Sequence, residues 1–100
     1  MAIRFEWDSE KARRNWLKHR VSFETAMRVF ADPCQVSAQD RIEDSEPRWQ
    51  TIGSVEGQFI LLVVHSVAEH EDGDVIRLIS ARKADPKEKR RYEQNRQAQS

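Results

Sequence analysis

VIRLISARKADPKEKRRYE, residues 75–93, joins a strand pattern to a helix start and carries most of the candidate chemical groups. Val75–Ala81 is rich in Val, Ile and Leu, which favour a β-strand. Asp85-Pro86 is typical of a helix N-cap followed by proline at the first helical position, and residues 87–97 contain neither Gly nor Pro. We therefore predict a core strand followed by a C-terminal helix, with the rest of the chain as their scaffold.

Arginine, lysine and tyrosine side chains concentrate in this segment. Arg77 and Arg82 lie on or at the end of the predicted strand, Lys83 follows, and Tyr92 lies in the predicted helix. Arginine offers a planar, permanently charged fork for a phosphate, and tyrosine can donate a hydrogen bond or transfer a proton. In the alternative interpretation, the arginines pair with acids on adjacent strands and Tyr92 closes the core.

The composition is that of one soluble globular domain over residues 1–100. Apolar residues make up 38% of the chain, and the longest apolar run, Phe59–Val64, is too short to cross a membrane. The first four residues lack the apolar region of a secretory signal, and the single Cys34 excludes an intramolecular disulfide. We expect a cytoplasmic protein whose last residues, 94–100, fray.

The formal net charge is zero, from 17 Lys and Arg against 17 Asp and Glu. A protein that binds nucleic acid by general attraction is normally basic. Here the positive charge concentrates in Arg82–Arg96, with seven Lys or Arg against three Asp or Glu. Binding to nucleic acid is therefore expected to be local, on the segment that contains Lys83, Lys87, Arg90 and Arg91.

The first third of the chain predicts one strand and a helical hairpin. Ala2–Trp7 alternates apolar and charged residues, as a half-buried strand does. Asp8 is a candidate N-cap for a helix over Lys11–Lys18, whose buried stripe would consist of Ala12, Trp16 and Leu17. Ser22 begins a second helix, which Asp32-Pro33 ends. The short connection between the helices predicts that they pack as a pair.

The middle of the chain predicts an antiparallel meander. Its candidate strands are Trp49–Val55, Gln58–Val67 and Val75–Ala81, with turns at Glu56-Gly57 and Asp72-Gly73. Phe59–Val64 is apolar on both faces and should form the centre of the sheet. Ahead of the meander, Cys34–Ala38 is a candidate short strand and Asp40–Pro47 a polar loop.

These elements predict an α+β fold: a small antiparallel β-sheet with an N-terminal helical hairpin and a C-terminal helix, packed mainly on one face. The other face would then be open for chemistry.

Two further groups are candidates for that chemistry. Glu46 and Arg48 share strand parity, so they would point to one face as a proton-transfer pair or, alternatively, as a salt bridge. Lys18 and His19 end the first helix, with Asn15 on the face of Lys18; His19 could act as a general acid or base, or simply interact with the helix dipole. The remaining histidines have no second His or Cys at ligand spacing, so we predict no metal site.

Several of these residues together resemble one known family. FEWDSEKARRNWLKHRVSFETAMRVFADP (residues 5–33), then Glu46-x-Arg48 followed by Gly53, then IRLISARKADPKEKRRYE (residues 76–93) resemble the BrnT family of type II toxins. The spacing from Trp7 to His19 and the string Ile79–Ala84 are its most specific parts.

The resemblance implies a RelE-like fold and a metal-independent endoribonuclease, without cofactor, that blocks translation. It also implies a BrnA-like antitoxin, a DNA-binding dimer that binds the toxin and alone contacts the operator DNA. Relatives of this kind cut RNA by activating the ribose 2′-OH against the adjacent phosphate. The family positions carried over are the arginines Arg48, Arg77 and Arg82, the acid Glu46, the helical Tyr92, and the pair Lys18-His19.

This chain departs from the family at two points. It is neutral, whereas the family tends to be basic. The position after Lys-His is commonly glycine in the family and is Arg20 here, where a left-handed C-cap would cost about 1 kcal/mol. Two other interpretations stay open: a non-cleaving domain that binds an antitoxin as co-repressor, and an RNA-binding module that uses the Arg82–Arg96 face.

Overall fold

The computed structural model describes residues 2–99, which form one five-stranded sheet with helices on both faces. Its elements in chain order are β1 (Ala2–Glu6), α1 (Ser9–His19), α2 (Phe23–Ala26), a 3₁₀ segment (Met27–Ala31), β2 (Val36–Glu43), β3 (Glu46–Val55), β4 (Phe59–His70), β5 (Gly73–Lys83) and α3 (Pro86–Gln99). The strand order across the sheet is β1-β5-β4-β3-β2.

The predicted meander is confirmed. Strands β3, β4 and β5 are consecutive antiparallel neighbours, and β4 lies at the centre. Leu61, Leu62 and Val63 are all buried, so both faces of β4 are covered. The turn after β3 places Glu56 and Gly57 at positive φ, as a tight hairpin turn requires. The next hairpin turns one residue earlier than predicted, because His70 already pairs with Gly73.

The sheet is mixed, so the prediction of a purely antiparallel sheet is wrong. Strand β1 pairs in parallel with β5, from Ala2 opposite Gly73 to Glu6 opposite Arg77. No hairpin links these two strands, so no local turn fixes their relative direction. Strand β1 is also mostly exposed, with Ile3 55% exposed, because it forms one edge of the sheet.

The predicted second helix is also different. A single α-helical turn, α2, is capped by the Ser22 hydroxyl, and the chain then tightens into the 3₁₀ segment. This segment presses onto β3 at Gly53, where an added Cβ would lie 2.7 Å from Val29 Cγ1. The glycine thus allows the close approach, and a regular pair of α-helices does not form.

The segment 40–47 is a β-hairpin and not the predicted polar loop. Strands β2 and β3 are joined by Asp44 and Ser45, both at positive φ. Strand β2 forms the second edge of the sheet and is mostly exposed, so its charged residues stay in water. A polar composition therefore does not prevent strand formation here.

The core consists of two clusters, one on each face of the sheet, so the prediction that the helices pack mainly on one face and leave the other open is wrong. The larger lies under α2 and the 3₁₀ segment and includes Phe23, Val29 and Leu78. The smaller lies under α3 and comprises Ile52, Leu62, Ala84 and Tyr92. The predicted stripe of α1 is wrong in two of its members, because Trp16 and Leu17 are about half exposed, whereas Asn15 is buried.

Helix α3 begins as predicted. The Asp85 carboxylate accepts a hydrogen bond from Glu88 N at 2.8 Å, and Glu88 reaches back to Asp85 N at 2.9 Å, which completes a capping box. The helix continues to Gln99 through the segment expected to fray, and Ser100 lies outside the described residues. Between residues 2 and 99, the helices are too short and polar to cross a membrane.

Candidate active site

Helix α1 is fastened to a part of β5 that no strand covers. Strand β1 pairs with β5 only as far as Arg77, so the outer edge of β5 continues without it. There the Asn15 side chain donates to Ala81 O at 2.8 Å and accepts from Ala81 N at 3.0 Å, as a neighbouring strand would. Asn15 also donates to Val21 O at 2.9 Å. One buried amide therefore fixes α1 beside β5.

A β-bulge shapes the surface next to this clamp. Ser80 pairs with Val64 and Leu78 with His65, so Ile79 is an extra residue in β5. Successive strand residues normally point to opposite faces, but Ile79 and Ser80 both line one cavity of about 310 Å³. Its other lining residues come from α1: Lys11, Arg14, Asn15, Lys18 and His19. We call this the α1–β5 cavity.

His19 ends α1 at the rim of this cavity. Burial lowers the pKa of His19 from its ordinary 6.5, and the nearby charges of Lys18 and Arg82 lower it further. A larger share of the ring is therefore neutral at pH 7 than for a free histidine, and a neutral ring nitrogen can accept a proton.

The residue after His19, Arg20, adopts the left-handed conformation that glycine usually adopts at a helix C-terminus. Arg20 adopts a left-handed conformation with φ 57°, and its backbone N–H donates to Trp16 O at 2.8 Å. The Arg20 guanidinium lies 5.7 Å from the centre of the Trp16 ring. This cation–π contact offsets part of the backbone strain, and the helix ends where the family pattern ends it.

The three candidate arginines share one face of the sheet. Arg77 is paired with Ser66 and Arg82 with Leu62, and both partners are on the side of β4 that faces α3. Arg48 precedes Trp49, which is paired with His65, so it lies beside Ser66 on that same side. All three candidate arginines therefore lie on one face of the sheet, two of them on β5 and one on β3.

Arg82 is already engaged by helix α3. Its two terminal nitrogens donate to the two carboxylate oxygens of Glu88 at 2.8 and 2.9 Å, and one also donates to Lys83 O at 3.2 Å. This pairing raises the pKa of Arg82 and lowers that of Glu88. Arginine has five N–H donors, so the described contacts leave donors for a phosphate.

Arg48 and Glu46 are close but weakly joined. Their nearest charged atoms are 3.8 Å apart; the Arg48 side chain is 14% exposed and that of Glu46 52%. Among the described residues, Arg48 Nε is buried with no hydrogen-bond partner. Arg77 is half exposed, 3.8 Å from Glu6. At 3.8 Å neither ion pair is a hydrogen bond, so the terminal nitrogens of both arginines keep N–H donors for another acceptor.

Tyr92 lies in a different environment from His19. Its hydroxyl donates to Asp32 Oδ2 at 2.6 Å, and burial together with that carboxylate raises its pKa to about 12. Tyr92 and Asp32 line a separate cavity of about 610 Å³, whereas His19 lines the α1–β5 cavity. Asp32 also accepts from the backbone N–H groups of Ser54 and Cys34. The sequence identified Asp32 only as a helix stop.

The four cations predicted to bind RNA outside the first helix are all exposed. They are Lys83, Lys87, Arg90 and Arg91. Lys83 Nζ lies 5.6 Å from the centre of the Phe59 ring. Lys11, Arg14 and Ser80, which line the α1–β5 cavity, were not predicted as site residues. The sequence signal for Lys11 and Arg14 is their spacing, which places them on the helix face of Lys18. Within residues 2–99, no group of three or more His, Cys, Asp or Glu side chains could hold a metal ion.

Comparisons with known proteins identify a matching family and a matching fold. A family model described as a ribonuclease toxin, BrnT, of a type II toxin-antitoxin system matches residues 7–88. The 1.1 Å crystal structure of the Brucella abortus ribonuclease toxin BrnT has the same fold, with a TM-score of 0.62 and 21% sequence identity. The match covers 84% of this chain and 99% of that one. None of the curated proteins matches the sequence significantly.

Proposed function

Because the chain belongs to the BrnT family of ribonuclease toxins of type II toxin–antitoxin systems, we propose that it is an endoribonuclease that cleaves cellular RNA and inhibits translation. The proposed reaction needs neither metal nor cofactor. A cognate, BrnA-like antitoxin neutralises the toxin by binding it, and as a DNA-binding dimer it makes the only contact with operator DNA. The toxin acts in the cytoplasm, where its RNA substrate is.

The observation that carries the proposal is the neighbourhood of His19. A histidine with a lowered pKa stands close enough to Arg82 and Lys18 for both charges to act on it. Arg82 therefore places a phosphate-binding group beside a potential proton acceptor, and Arg77 and Arg48 lie farther along the same face of the sheet. These are the two kinds of group that RNA transesterification requires.

In the proposed reaction, a ring nitrogen of His19 accepts the proton of the ribose 2′-OH. The 2′-oxygen then attacks the adjacent phosphorus, and the bond from phosphorus to the 5′-oxygen breaks. Arg82 and Lys18 donate to the non-bridging oxygens, on which negative charge grows in the transition state. The protonated His19 or a water molecule returns a proton to the leaving 5′-oxygen, which yields a 2′,3′-cyclic phosphate and a 5′-hydroxyl.

Arg48, Glu46, Arg77 and Tyr92 also belong to this proposal. Arg48 and Arg77 would hold the substrate across the sheet, with Glu46 as the acid that orients Arg48. Tyr92 would donate or transfer a proton, in addition to the structural hydrogen bond that its hydroxyl makes to Asp32. The exposed cations of α3 would bind RNA beyond the scissile phosphate.

One observation favours the alternative of an antitoxin-binding domain that does not cleave. The fork of Arg82 is occupied by Glu88, as in a purely structural ion pair. The two functions separate when the protein is induced alone in a bacterial host and growth and RNA integrity are followed. Cleavage predicts growth arrest with RNA fragments that end in cyclic phosphate, and His19→Ala should abolish both.

Two further experiments complete this test. Co-expression with the neighbouring reading frame should restore growth. Cleavage by the purified protein should persist in EDTA. Intact RNA with unimpaired growth would reject the ribonuclease, and a neighbouring gene that fails to rescue would reject the antitoxin assignment.

A further inference from the structure

The α1–β5 cavity holds more positive charge than the proposed reaction uses. Three side chains on one side of α1 point into it, from Lys11, Arg14 and Lys18, and His19 lies at the end of the row. Its seven lining residues include no Asp or Glu, although the chain as a whole is neutral. Such a local excess of positive charge on a neutral protein indicates an anionic ligand.

The cavity is also built to hold its shape. Asn15 fixes α1 to β5 through three hydrogen bonds to buried backbone groups. The bulge at Ile79 turns Ser80 toward the same space, where its hydroxyl can donate to an oxyanion. The row from Lys11 to Lys18 spans seven residues of helix, or about 10 Å. That length exceeds one phosphate and suits consecutive phosphates of a single strand.

We infer that this cavity is a second phosphate subsite, which binds the RNA backbone next to the scissile phosphate through Lys11, Arg14 and the Ser80 hydroxyl. The inference rests on the proposed function, because it takes His19 as the position of cleavage. A phosphodiester fits better than an acidic peptide, since the row of cations from Lys11 to Lys18 suits consecutive phosphates and the Ser80 hydroxyl can donate to one of their oxygens. RNA longer than a dinucleotide would therefore bind more tightly than a dinucleotide does.

The test measures binding without cleavage. The probes are fluorescein-labelled, mixed-sequence RNA oligomers of two to six residues with 2′-O-methyl groups throughout, which cannot be cut. Their dissociation constants are measured by fluorescence anisotropy between 0.05 and about 0.3 M salt, a range over which phosphate contacts change the affinity strongly. The variant is Arg14→Gln. Its matched control is Arg13→Gln, because both arginines pair with Glu10 at 3.5 Å but Arg13 lies outside the cavity.

Arg14→Gln should weaken binding of the longer oligomers about fivefold at 0.1 M salt and reduce the salt slope by about 0.7, the value for one single-strand phosphate contact. The dinucleotide should bind as before, and Arg13→Gln should change the affinity less than twofold. Arg14→Glu should weaken binding further. Equal losses in both glutamine variants would overturn the subsite, because the effect would then be general charge.

Two other outcomes decide between the proposals. If Arg14→Gln binds RNA normally but loses affinity for the co-expressed antitoxin, the cavity contacts a protein and the subsite is wrong. If the longer oligomers bind as expected while natural RNA stays uncut, the cavity still binds RNA phosphates, but the proposed cleavage at His19 is rejected. Both arginines are exposed, so circular dichroism should show folded variants with unchanged melting temperatures.

Discussion

The guanidinium of Arg82 meets the carboxylate of Glu88 through two parallel hydrogen bonds of 2.8 and 2.9 Å, which join the end of β5 to the first turn of α3. The same carboxylate closes the capping box with Asp85. Arg82, the main candidate for phosphate binding, therefore also holds the first turn of α3 against β5. Its two possible roles have different consequences, which mutation can separate.

Arg82→Ala should reduce RNA cleavage per folded molecule by about 10²–10³, because it removes one preorganised donor to the transition-state oxyanion. Arg82→Lys should restore little, since an ammonium group cannot form the two-pronged contact. Glu88→Gln is the matched control: it weakens the same ion pair but leaves the guanidinium in place. Melting temperature and cleavage are measured on each purified variant. Equal melting losses in Arg82→Ala and Glu88→Gln, with full cleavage by both, would make Arg82 structural.

The pH dependence of cleavage should report His19. The pKa of His19 is lowered, so its neutral form predominates above a pH that lies below 6.5. If the neutral ring is the base, kcat/KM should rise with pH through that lowered pKa and then level off. His19→Gln should remove this limb of the profile and most of the activity. A profile whose acidic limb survives the substitution would assign the base to another group.

Tyr92→Phe should destabilise the fold by about 1–2 kcal/mol, because it removes a hydrogen bond to a carboxylate. The loss is limited, since the backbone of Ser54 and Cys34 still donates to Asp32. Urea unfolding measures this loss, and cleavage per folded molecule measures the catalytic share. A stable variant with little activity would support the proposed catalytic role of Tyr92, and a destabilised variant with full activity per folded molecule would reject it.

Asn15→Ala should cost about 2–4 kcal/mol, since it leaves the buried backbone groups of Ala81 and the Val21 carbonyl without a partner. Leu17→Ala is the control on the same helix, because Leu17 is 56% exposed and should lose little. Thermal unfolding of both variants makes the comparison. If Asn15→Ala lost as little stability as Leu17→Ala, the Asn15 side chain would not be needed to hold α1 beside β5.

Acid should destabilise the protein partly through His65. Its Nε2 lies 2.7 Å from Thr51 Oγ1 inside the core, and burial lowers the pKa of His65 to about 4. An unfolded histidine takes up its proton near pH 6.5, so the unfolded state binds more protons between these values, and stability falls as the pH decreases from about 6.5 to about 4. The loss is on the order of 3 kcal/mol.

His65→Gln tests this titration. The variant should be less stable at pH 7, and its stability should depend less on pH over the same window in urea unfolding. Subtraction of the two curves removes the contribution of the carboxylates, which both proteins share. A wild-type and variant pair with parallel curves would exclude His65 as the titrating group.

Elements that depend on neighbouring residues could be predicted from the sequence. The N-cap of α3 at Asp85, the turn at Glu56-Gly57 and the two-faced central strand all follow from residues a few positions apart. The parallel pairing of β1 and the conversion of the second helix into a 3₁₀ segment depend on contacts distant in sequence, and these carry no local pattern. The helical period predicted that Trp16 is buried. In the structure Asn15 is buried instead, because its side chain binds the free edge of β5.

In the candidate site, too, only the features that depend on local sequence could be predicted. Arg77 and Arg82 were found because a strand seldom carries two arginines without use, and the register then placed Arg48 on their face. The Glu88 pair, the Asp32 contact of Tyr92 and the cavity beside α1 could not be predicted, since each joins elements whose relative positions only the folded sheet defines.

Strand β2, the exposed edge of the sheet opposite β1, also bears on how copies of the protein behave in a crowded solution. A molecule with zero net charge has no long-range repulsion to keep its copies apart, and an open strand edge is a template for pairing with another chain. In β2 the register with β3 shifts between Gln39 and Ile42, around the charged residues Asp40 and Arg41, and an irregular, charged edge pairs poorly with another strand. At this edge, irregular pairing and charged side chains oppose the association that overall charge prevents in many small proteins.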